Sequence, residues 1–463
     1  MSDWKAALRN PRLVATAIVL LGGLTIYAVN YPGSMEFDSF VQWLEGRRGI
    51  YGYWHPPVMS WILGVFDTLP GPVAGWFTGM DMLLAFGALA ALLWLPKRVS
   101  WAAACVAAAM LLLPQLVLIE AVVWKDTLFA DAALLATVLI GLAVKHWPER
   151  RWRFALLAAA SVFLALAVLT RQNGIVIVPC IATGLAIAVR HLAGHWRRGA
   201  AYGAGLFTLT VALALAGNAA LQLRWDGVPS SEQQFKVLRL YDISGMLRRD
   251  PSLKISVMDR EAPGLAHLVR SWTVKVWTPL KNDTMESPAI DDAITTIPAS
   301  VYAKQWRALV GERPWLYLKV RAELFRWVFQ PPDVGLCHPF HVGNQPGLEP
   351  LDGYVIVRRM DAHDLALKHY GEFFLWHTPV FSHALFALLG LGALGLLIRR
   401  REPADIVMAS LIVADFVFTA TFFVISIACD YRYLFLIDLT ALASTLYIAA
   451  DWRELLQRQK RGL

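Results

Sequence analysis

Ten apolar stretches, each about long enough to cross a bilayer as one helix, constrain this chain more than any other feature of its sequence. A spanning helix needs about 20 mostly apolar residues. The sequence therefore predicts an all-α polytopic membrane protein with about ten transmembrane helices. The stretches lie near residues 12–30, 72–95, 100–119, 127–144, 154–170, 174–190, 201–222, 377–398, 403–428 and 433–450.

Composition supports the same fold class. Only 17% of the 463 residues are charged, whereas a soluble domain carries about a quarter, so polar residues are too few to cover a globule. The net charge of +8 does not indicate nucleic-acid binding, because the basic residues cluster beside the apolar stretches. We expect membrane lipid as a partner and no nucleic acid.

Basic residues concentrate in alternate linkers, which predicts the orientation of the chain. By the positive-inside rule both termini are cytoplasmic and the protein lies in the cytoplasmic (inner) membrane. The first stretch has no small-residue cleavage site, so we expect no cleavable signal peptide. The basic set comprises Lys5, Arg9, Arg12, Lys97, Arg98, Lys145, Arg150, Arg151, Arg153, Arg190, Arg197, Arg198, Arg399, Arg400, Arg401, Arg453, Arg458, Lys460 and Arg461.

Two linkers on the outward side are long and divide the chain into three parts. Residues 1–222 form an N-terminal transmembrane module whose first outward loop, 31–71, carries apolar stripes at helical spacing over Phe37–Leu44 and Val58–Leu69. Both stripes predict helices on the membrane surface. Residues 223–376 predict a mixed, partly helical, outward-facing soluble domain, and residues 377–463 the last helices and a cytoplasmic tail.

Every short outward turn contributes charged residues, and acids and bases occur together. Ionisable groups at membrane depth are expensive and tend to be functional, so their convergence on one side predicts a site. The residues concerned are Asp38 and His55 in the first loop, Glu120, Lys125 and Asp126 in the second hairpin, Arg171, Gln172 and Asn173, and finally Asp430, Tyr431 and Arg432.

These residue types suit a phosphate-linked substrate. Lys125, Arg171 and Arg432 are candidate cations to hold a phosphodiester and to stabilise phosphate as it leaves. Asp38 is the candidate carboxylate to take the proton of an attacking hydroxyl. No Gly-rich nucleotide loop precedes a strand–helix unit, which argues against a sugar-nucleotide donor.

The order of these motifs resembles the GT-C superfamily of polyprenyl-phosphate-sugar glycosyltransferases, which includes the O-antigen glucosyl, aminoarabinose and protein O-mannosyl transferases. The first loop bears an acid in Ser34–Phe40 and then His55-Pro56-Pro57, similar to the catalytic loop of these enzymes. Trp124-Lys125-Asp126 is similar to their second acidic turn. Arg171-Gln172-Asn173-Gly174 and Asp430-Tyr431-Arg432-Tyr433 resemble their Arg-x-Asn and Asp-x-Arg-Tyr.

The resemblance implies a sugar donor on undecaprenyl or dolichyl phosphate and transfer with inversion. It implies that Asp38 is the catalytic base, and that a donor-binding set surrounds the phosphate. The loop offers Glu36 as well as Asp38, so the base stays open between them, with Asp38 favoured because it falls on the polar face of its helix. The donor-binding set is His55, Lys125, Asp126, Arg171, Asn173, Arg432 and Tyr433.

With one acid per loop, the sequence predicts no required metal or other cofactor, although Asp126 could join Asp38 in holding a divalent cation. The partners implied are a polyprenyl-phosphate-linked sugar donor and a glycan, lipid or protein acceptor. We expect the outward domain to recognise the acceptor.

Two other functions remain open. A secondary transporter or flippase should carry charges near the bilayer midplane in two similar halves, and this sequence shows no repeat. A polymerase or ligase of lipid-linked glycans should carry arginines in a late outward loop, as Arg321 and Arg326 do. A bridge between Cys337 and Cys429 also stays open, because both fall on the outward side.

Overall fold

The computed structural model describes residues 9–52, 54–222, 231–281, 285, 287–345 and 358–451. Some residues used above lie outside these ranges: Lys5, Arg453, Arg458, Lys460 and Arg461. Within the described ranges the chain is helical, and its β-structure is limited to isolated bridges. The helices are α1 (Pro11–Asn30), α2 (Phe37–Arg48), α3 (Pro57–Phe66), α4 (Val73–Leu92), α5 (Trp101–Met110), α6 (Lys125–Lys145), α7 (Arg150–Thr170), α8 (Ile177–Ala193), α9 (Trp196–Gln222), α10 (Ser231–Arg249), α11 (Ser256–Glu261), α12 (Pro263–Leu268), α13 (Val274–Val276), α14 (Pro288–Thr296), α15 (Ala299–Glu312), α16 (Pro314–Phe329), α17 (Ala362–His377), α18 (His383–Arg400), α19 (Pro403–Ile425) and α20 (Phe435–Ala450).

Among the described residues, 9 helices are long and apolar enough to cross a membrane, which confirms the all-α polytopic fold class. The stretch near 100–119 differs from the expectation of one continuous helix. It forms α5, a turn at Leu111–Leu113 and a π-helical turn, Gln115–Ile119. Pro114 lies at this break, and because proline has no backbone N–H it cannot continue the ladder of α5.

The spanning helices pack around α6 and α20, which are the most completely enclosed, whereas α1 and α9 are the most open. The linkers that the sequence assigns to the basic side meet at one end of this bundle. Arg12 donates to the carbonyls of Pro96 and Lys97 at 2.7 and 2.9 Å. The Ser100 hydroxyl donates to Ala449 O at 2.8 Å. The short turns of the other set meet at the opposite end, where the candidate site lies.

The first loop forms two helices, as its apolar stripes predict, and they cross at two glycines. A Cβ on Gly46 would lie 1.8 Å from Ser60 O, and a Cβ on Gly64 would lie 2.4 Å from Gly46 O. Only glycine permits this approach of the two backbones. The faces of α2 differ from the predicted ones, because Gln42 is buried while Phe37 is exposed.

The described part of the stretch after α9 is made of helices joined by turns and irregular segments, and it has its own apolar core. Two of these helices begin at a proline, α12 at Pro263 and α16 at Pro314, where a missing N–H is tolerated. A disulfide joins Cys337 to Cys429, with the Cα atoms 5.1 Å apart. It fastens this stretch to the turn before α20.

Candidate active site

Arg432 is the centre of a cluster of charged side chains at the end of the bundle opposite the basic linkers. It lies in the 3₁₀ turn Tyr431–Leu434 that leads into α20, and only 8% of its side chain is exposed. Its guanidinium donates to Glu36, and to Asp38 Oδ2 at 2.6 Å. Its Nε lies 2.8 Å from Asp430 Oδ2. One arginine thus holds both candidate bases, Glu36 and Asp38.

A second arginine reaches the cluster from the end of α7. Arg171 Nη1 lies 2.6 Å from Asp126 Oδ1 and donates to the carbonyl of Tyr433 at 3.1 Å. The other oxygen of Asp126 lies 3.7 Å from Arg432 Nε. Asp126 therefore bridges the two guanidinium groups, which holds two positive charges close together.

Lys125 and His55 complete the cluster on the side of the first loop. Lys125 Nζ lies 2.9 Å from His55 Nδ1, and His55 Nε2 lies 3.8 Å from Asp38 Oδ1. Burial, with a further effect of the Lys125 charge, lowers the pKa of His55 well below its ordinary value. The imidazole is therefore neutral at pH 7. Because Nδ1 accepts from the ammonium group, the ring proton sits on Nε2 and faces Asp38.

Backbone pairing fixes the first loop against the turn before α6. Ser34 N donates to Ala121 O and Val123 N donates to Ser34 O, both at 2.9 Å. The Ser39 hydroxyl donates to Val123 O at 2.6 Å. These bonds set the start of α2 beside Trp124, whose indole N–H donates to Glu36 Oε1 at 2.7 Å.

The two candidate bases differ in their surroundings. Glu36 accepts from both Trp124 and Arg432, and 22% of its side chain is exposed. Asp38 is 30% exposed, the largest fraction among the four carboxylates that contact Arg432. A base must be reached by the hydroxyl that it deprotonates, so this difference favours Asp38.

Asp430 is the fourth carboxylate. Burial, with the nearby negative charges of Asp126 and Asp38, raises its pKa well above the ordinary aspartate value. Its Oδ1 accepts from the backbone N–H of Arg432 at 3.3 Å, which anchors the turn that carries the arginine.

The cluster contains the predicted base and, with one exception, the donor-binding set that the resemblance implies. Asp38, His55, Lys125, Asp126, Arg171 and Arg432 meet in it through their side chains. Tyr433 joins through its ring, whose centroid lies 5.2 Å from the Arg171 guanidinium. Asn173 does not reach the cluster, because its amide donates to Thr421 Oγ1 on α19 at 3.0 Å.

Sequence reasoning missed two acids near this site, Asp81 on α4 and Asp131 on α6. Both are fully buried, and Glu120 lies beside them. The sequence could have indicated both residues, because a carboxylate inside an otherwise apolar stretch is rare unless it has a function.

Fold and site together define an all-helical, multi-pass membrane protein with an acid–base cluster at one end of its bundle. No protein-family model matches the chain. No curated protein matches it either.

Among solved structures the chain is similar in fold to oligosaccharyltransferases of Archaeoglobus fulgidus. The enzyme AglB, in complex with an inhibitory peptide and a dolichol-phosphate, gives a TM-score of 0.41 at 12% identity over 97% of this chain and 52% of that chain. A complex with Zn and sulfate gives 0.42 at 14% identity over 95% and 50%. The chain thus spans about half the length of these relatives.

Proposed function

We propose that this chain is an integral membrane glycosyltransferase. It transfers a sugar, a hexose or a pentose, from a polyprenyl-phosphate donor to a cell-envelope glycan, lipid or protein acceptor. The observation that carries the proposal is the contact of Arg432 with Glu36 and Asp38, beside Arg171 and Lys125. The site faces the periplasm or its equivalent, and both termini are cytoplasmic, as the basic linkers predict.

The cations suit the leaving group. When the bond between the anomeric carbon and the phosphate oxygen breaks, the electron pair stays on the phosphate, which leaves as polyprenyl phosphate. Arg171 and Arg432, held close together by Asp126, stabilise the charge that develops there. Arginine presents a planar fork of donors that matches phosphate oxygens, and Lys125 adds a third positive charge.

The acids suit the acceptor. Asp38 takes the proton of the acceptor hydroxyl as its oxygen attacks the anomeric carbon from the face opposite the phosphate, which inverts that carbon. The neutral His55 ring, with Nε2 3.8 Å from Asp38 Oδ1, keeps the carboxylate oriented without removing its charge. Glu36 anchors Arg432 and Trp124 rather than reacting.

The position of Arg432 bears on whether Asp38 and Asp126 could share a divalent cation. Arg432 contacts Asp38 and Asp126 at 2.6 and 3.7 Å, and so lies where a cation shared by these two acids would bind. The guanidinium supplies the positive charge between them, and we expect transfer to need no metal at this position.

Arg321 does not support the alternative function of a lipid-linked glycan polymerase or ligase. This arginine is fully buried, lies 2.5 Å from Asp242 Oδ1 and donates to Ser426 O at 2.7 Å. It fastens the helices after α9 to the end of α19, which is a structural role.

The proposal is tested with purified protein in detergent and a panel of synthetic polyprenyl-phosphate sugars. Release of polyprenyl phosphate that depends on an acceptor supports it. Failure to consume any donor of a broad panel, by protein shown to be folded, would favour a transporter instead.

A further inference from the structure

A second group of acids lies within the bundle, apart from the Arg432 cluster. Asp81 on α4, Glu120 after the π-helical turn and Asp131 on α6 are each 0% exposed. One carboxylate oxygen from each lies within 4.8 Å of the other two. Acids from three separate elements therefore meet at one place inside the bundle.

No basic side chain among the described residues pairs with these carboxyl groups. None of their six oxygens has a hydrogen-bond partner among the described residues, and each oxygen is inaccessible to solvent. The neighbouring Thr127 hydroxyl is committed to Trp124 O at 2.7 Å. Three buried carboxylates without partners are strongly unfavourable, so the group either holds protons or is neutralised by a ligand of positive charge.

The spacing suits a metal ion. Oxygen ligands lie about 2.3–2.6 Å from Ca²⁺, so two ligands of one ion are at most about 5 Å apart. Since the three oxygens all lie within 4.8 Å of one another, one ion can contact all three residues. Three carboxylates offer up to six hard oxygen ligands and no sulfur or imidazole, which favours Ca²⁺ or Mn²⁺ over Zn²⁺.

We infer that Asp81, Glu120 and Asp131 bind one hard divalent cation, Ca²⁺ or Mn²⁺. The ion ties α4 and α6 to the segment that carries Val122, Trp124 and Lys125, and so supports the site from behind without touching substrate. The inference stands whether or not the proposed transferase activity is correct.

A different acidic group, Asp361, His363 and Asp364, is a poorer candidate. Asp361 and His363 are exposed. Asp364 is already paired with Arg359 at 3.0 Å, and it caps the start of α17 together with Asp361. Its oxygens therefore have partners within the protein.

The test is metal analysis of the full-length protein in detergent. Wild type is treated with a chelator, incubated with Ca²⁺ or Mn²⁺, freed of unbound ion and measured by mass spectrometry, beside Asp131→Asn and Asp81→Asn. Asp415→Asn is the matched control, because Asp415 is a buried acid of α19 outside the group. We expect about one ion per chain in wild type and control, and a bound-ion content lower by about tenfold or more in the two variants.

Thermal unfolding of the wild type provides a readout that needs no variant. The chelator should lower the Tm and the added ion should restore it, because an ion bound only to the folded state stabilises it. The inference would be overturned if the wild type held no ion and its Tm changed with neither the chelator nor the added ion. The carboxyl groups would then share protons instead. Equal metal content in Asp131→Asn, Asp81→Asn and wild type would also overturn the inference, because the ion would then bind at another site.

Discussion

Arg432 Nη2 lies 2.6 Å from Asp38 Oδ2, although the two residues are 394 positions apart in the chain. Arg432 precedes the last spanning helix and Asp38 lies in the first turn of α2. The contact therefore joins the two ends of the membrane part at the site. Since Asp126 and Arg171 attach to the same cluster, the turns after α1, α7 and α19 and the start of α6 are held in one arrangement.

Arg432→Lys should lower sugar transfer by about 10²–10³-fold, because lysine keeps the charge but lacks the fork that contacts Glu36 and Asp38 together. The measurement is the rate of polyprenyl phosphate release. Arg270→Lys is the matched control, since Arg270 forms an exposed pair with Asp259 at 2.7 Å and should change the rate less than about twofold. Equal rates in the two variants would remove Arg432 from the mechanism.

The neutral His55 makes the fold sensitive to acid. Unfolded histidine takes up a proton near pH about 6.5, whereas the folded state resists because the pKa of His55 is lowered. The unfolded state then binds more protons, so the free energy of unfolding falls as pH drops below about 6.5.

We therefore expect the Tm of the wild type to fall between about pH 7.5 and 5.5, and to fall less steeply in His55→Gln. His341, whose pKa burial lowers to about 4, contributes in the same direction. His341→Gln should flatten the remaining dependence further. A slope unchanged in His55→Gln would mean that this imidazole is not held neutral.

Gly46→Ala should destabilise the first loop, because its Cβ would lie 1.8 Å from Ser60 O and the crossing of α2 and α3 would have to open. Overpacking of this kind costs about 1–3 kcal/mol. Gly87→Ala is the control: nothing lies within 4 Å of its added Cβ, and alanine in mid-helix is favoured by about 0.5–1 kcal/mol. Thermal unfolding should therefore move in opposite directions for the two variants, and equal shifts would contradict the close crossing.

Loss of the disulfide should also weaken the fold near the site. Cys429 lies three residues before Arg432, and its bond to Cys337 closes a loop with a sequence separation of 92. Replacing both with serine should cost about 2–4 kcal/mol in the free energy of unfolding. The control replaces the free cysteines Cys105 and Cys180. If all 4 cysteines of the unfolded wild type react with a maleimide in the absence of reductant, the disulfide is absent.

The apolar helices of the bundle and the two helices of the first loop could be predicted from the sequence, because hydropathy and helical spacing are local properties. The stretch near 100–119 deviated because one residue, Pro114, outweighs the apolar composition around it. Gln42 lies on the predicted polar face of α2, yet it is buried and donates to Asp38 O at 3.0 Å. Spacing indicates which residues share a face but not what covers that face.

The membership of the site was largely predictable, but its pairing was not. Charges at the turns that the basic linkers leave on the other side of the bundle indicated a cluster, since such residues are rare near lipid. The joint contact of Arg432 with Glu36 and Asp38 depends on how distant helices pack, which no local pattern encodes. Asn173 illustrates the same limit, because its neighbour Arg171 enters the cluster while its own amide binds Thr421.

The assignment of Asp38 as the base is the central claim, and the most direct test compares transfer by Asp38→Asn and Glu36→Gln with wild type. Folding is checked by thermal unfolding of all three proteins. We expect Asp38→Asn to lose about 10²–10⁴-fold in rate, as for a missing general base, with the donor still bound. Glu36→Gln should lose less, since its amide oxygen can still accept from Trp124. Near-normal transfer by Asp38→Asn, with activity abolished in Glu36→Gln, would contradict the account and make Glu36 the base.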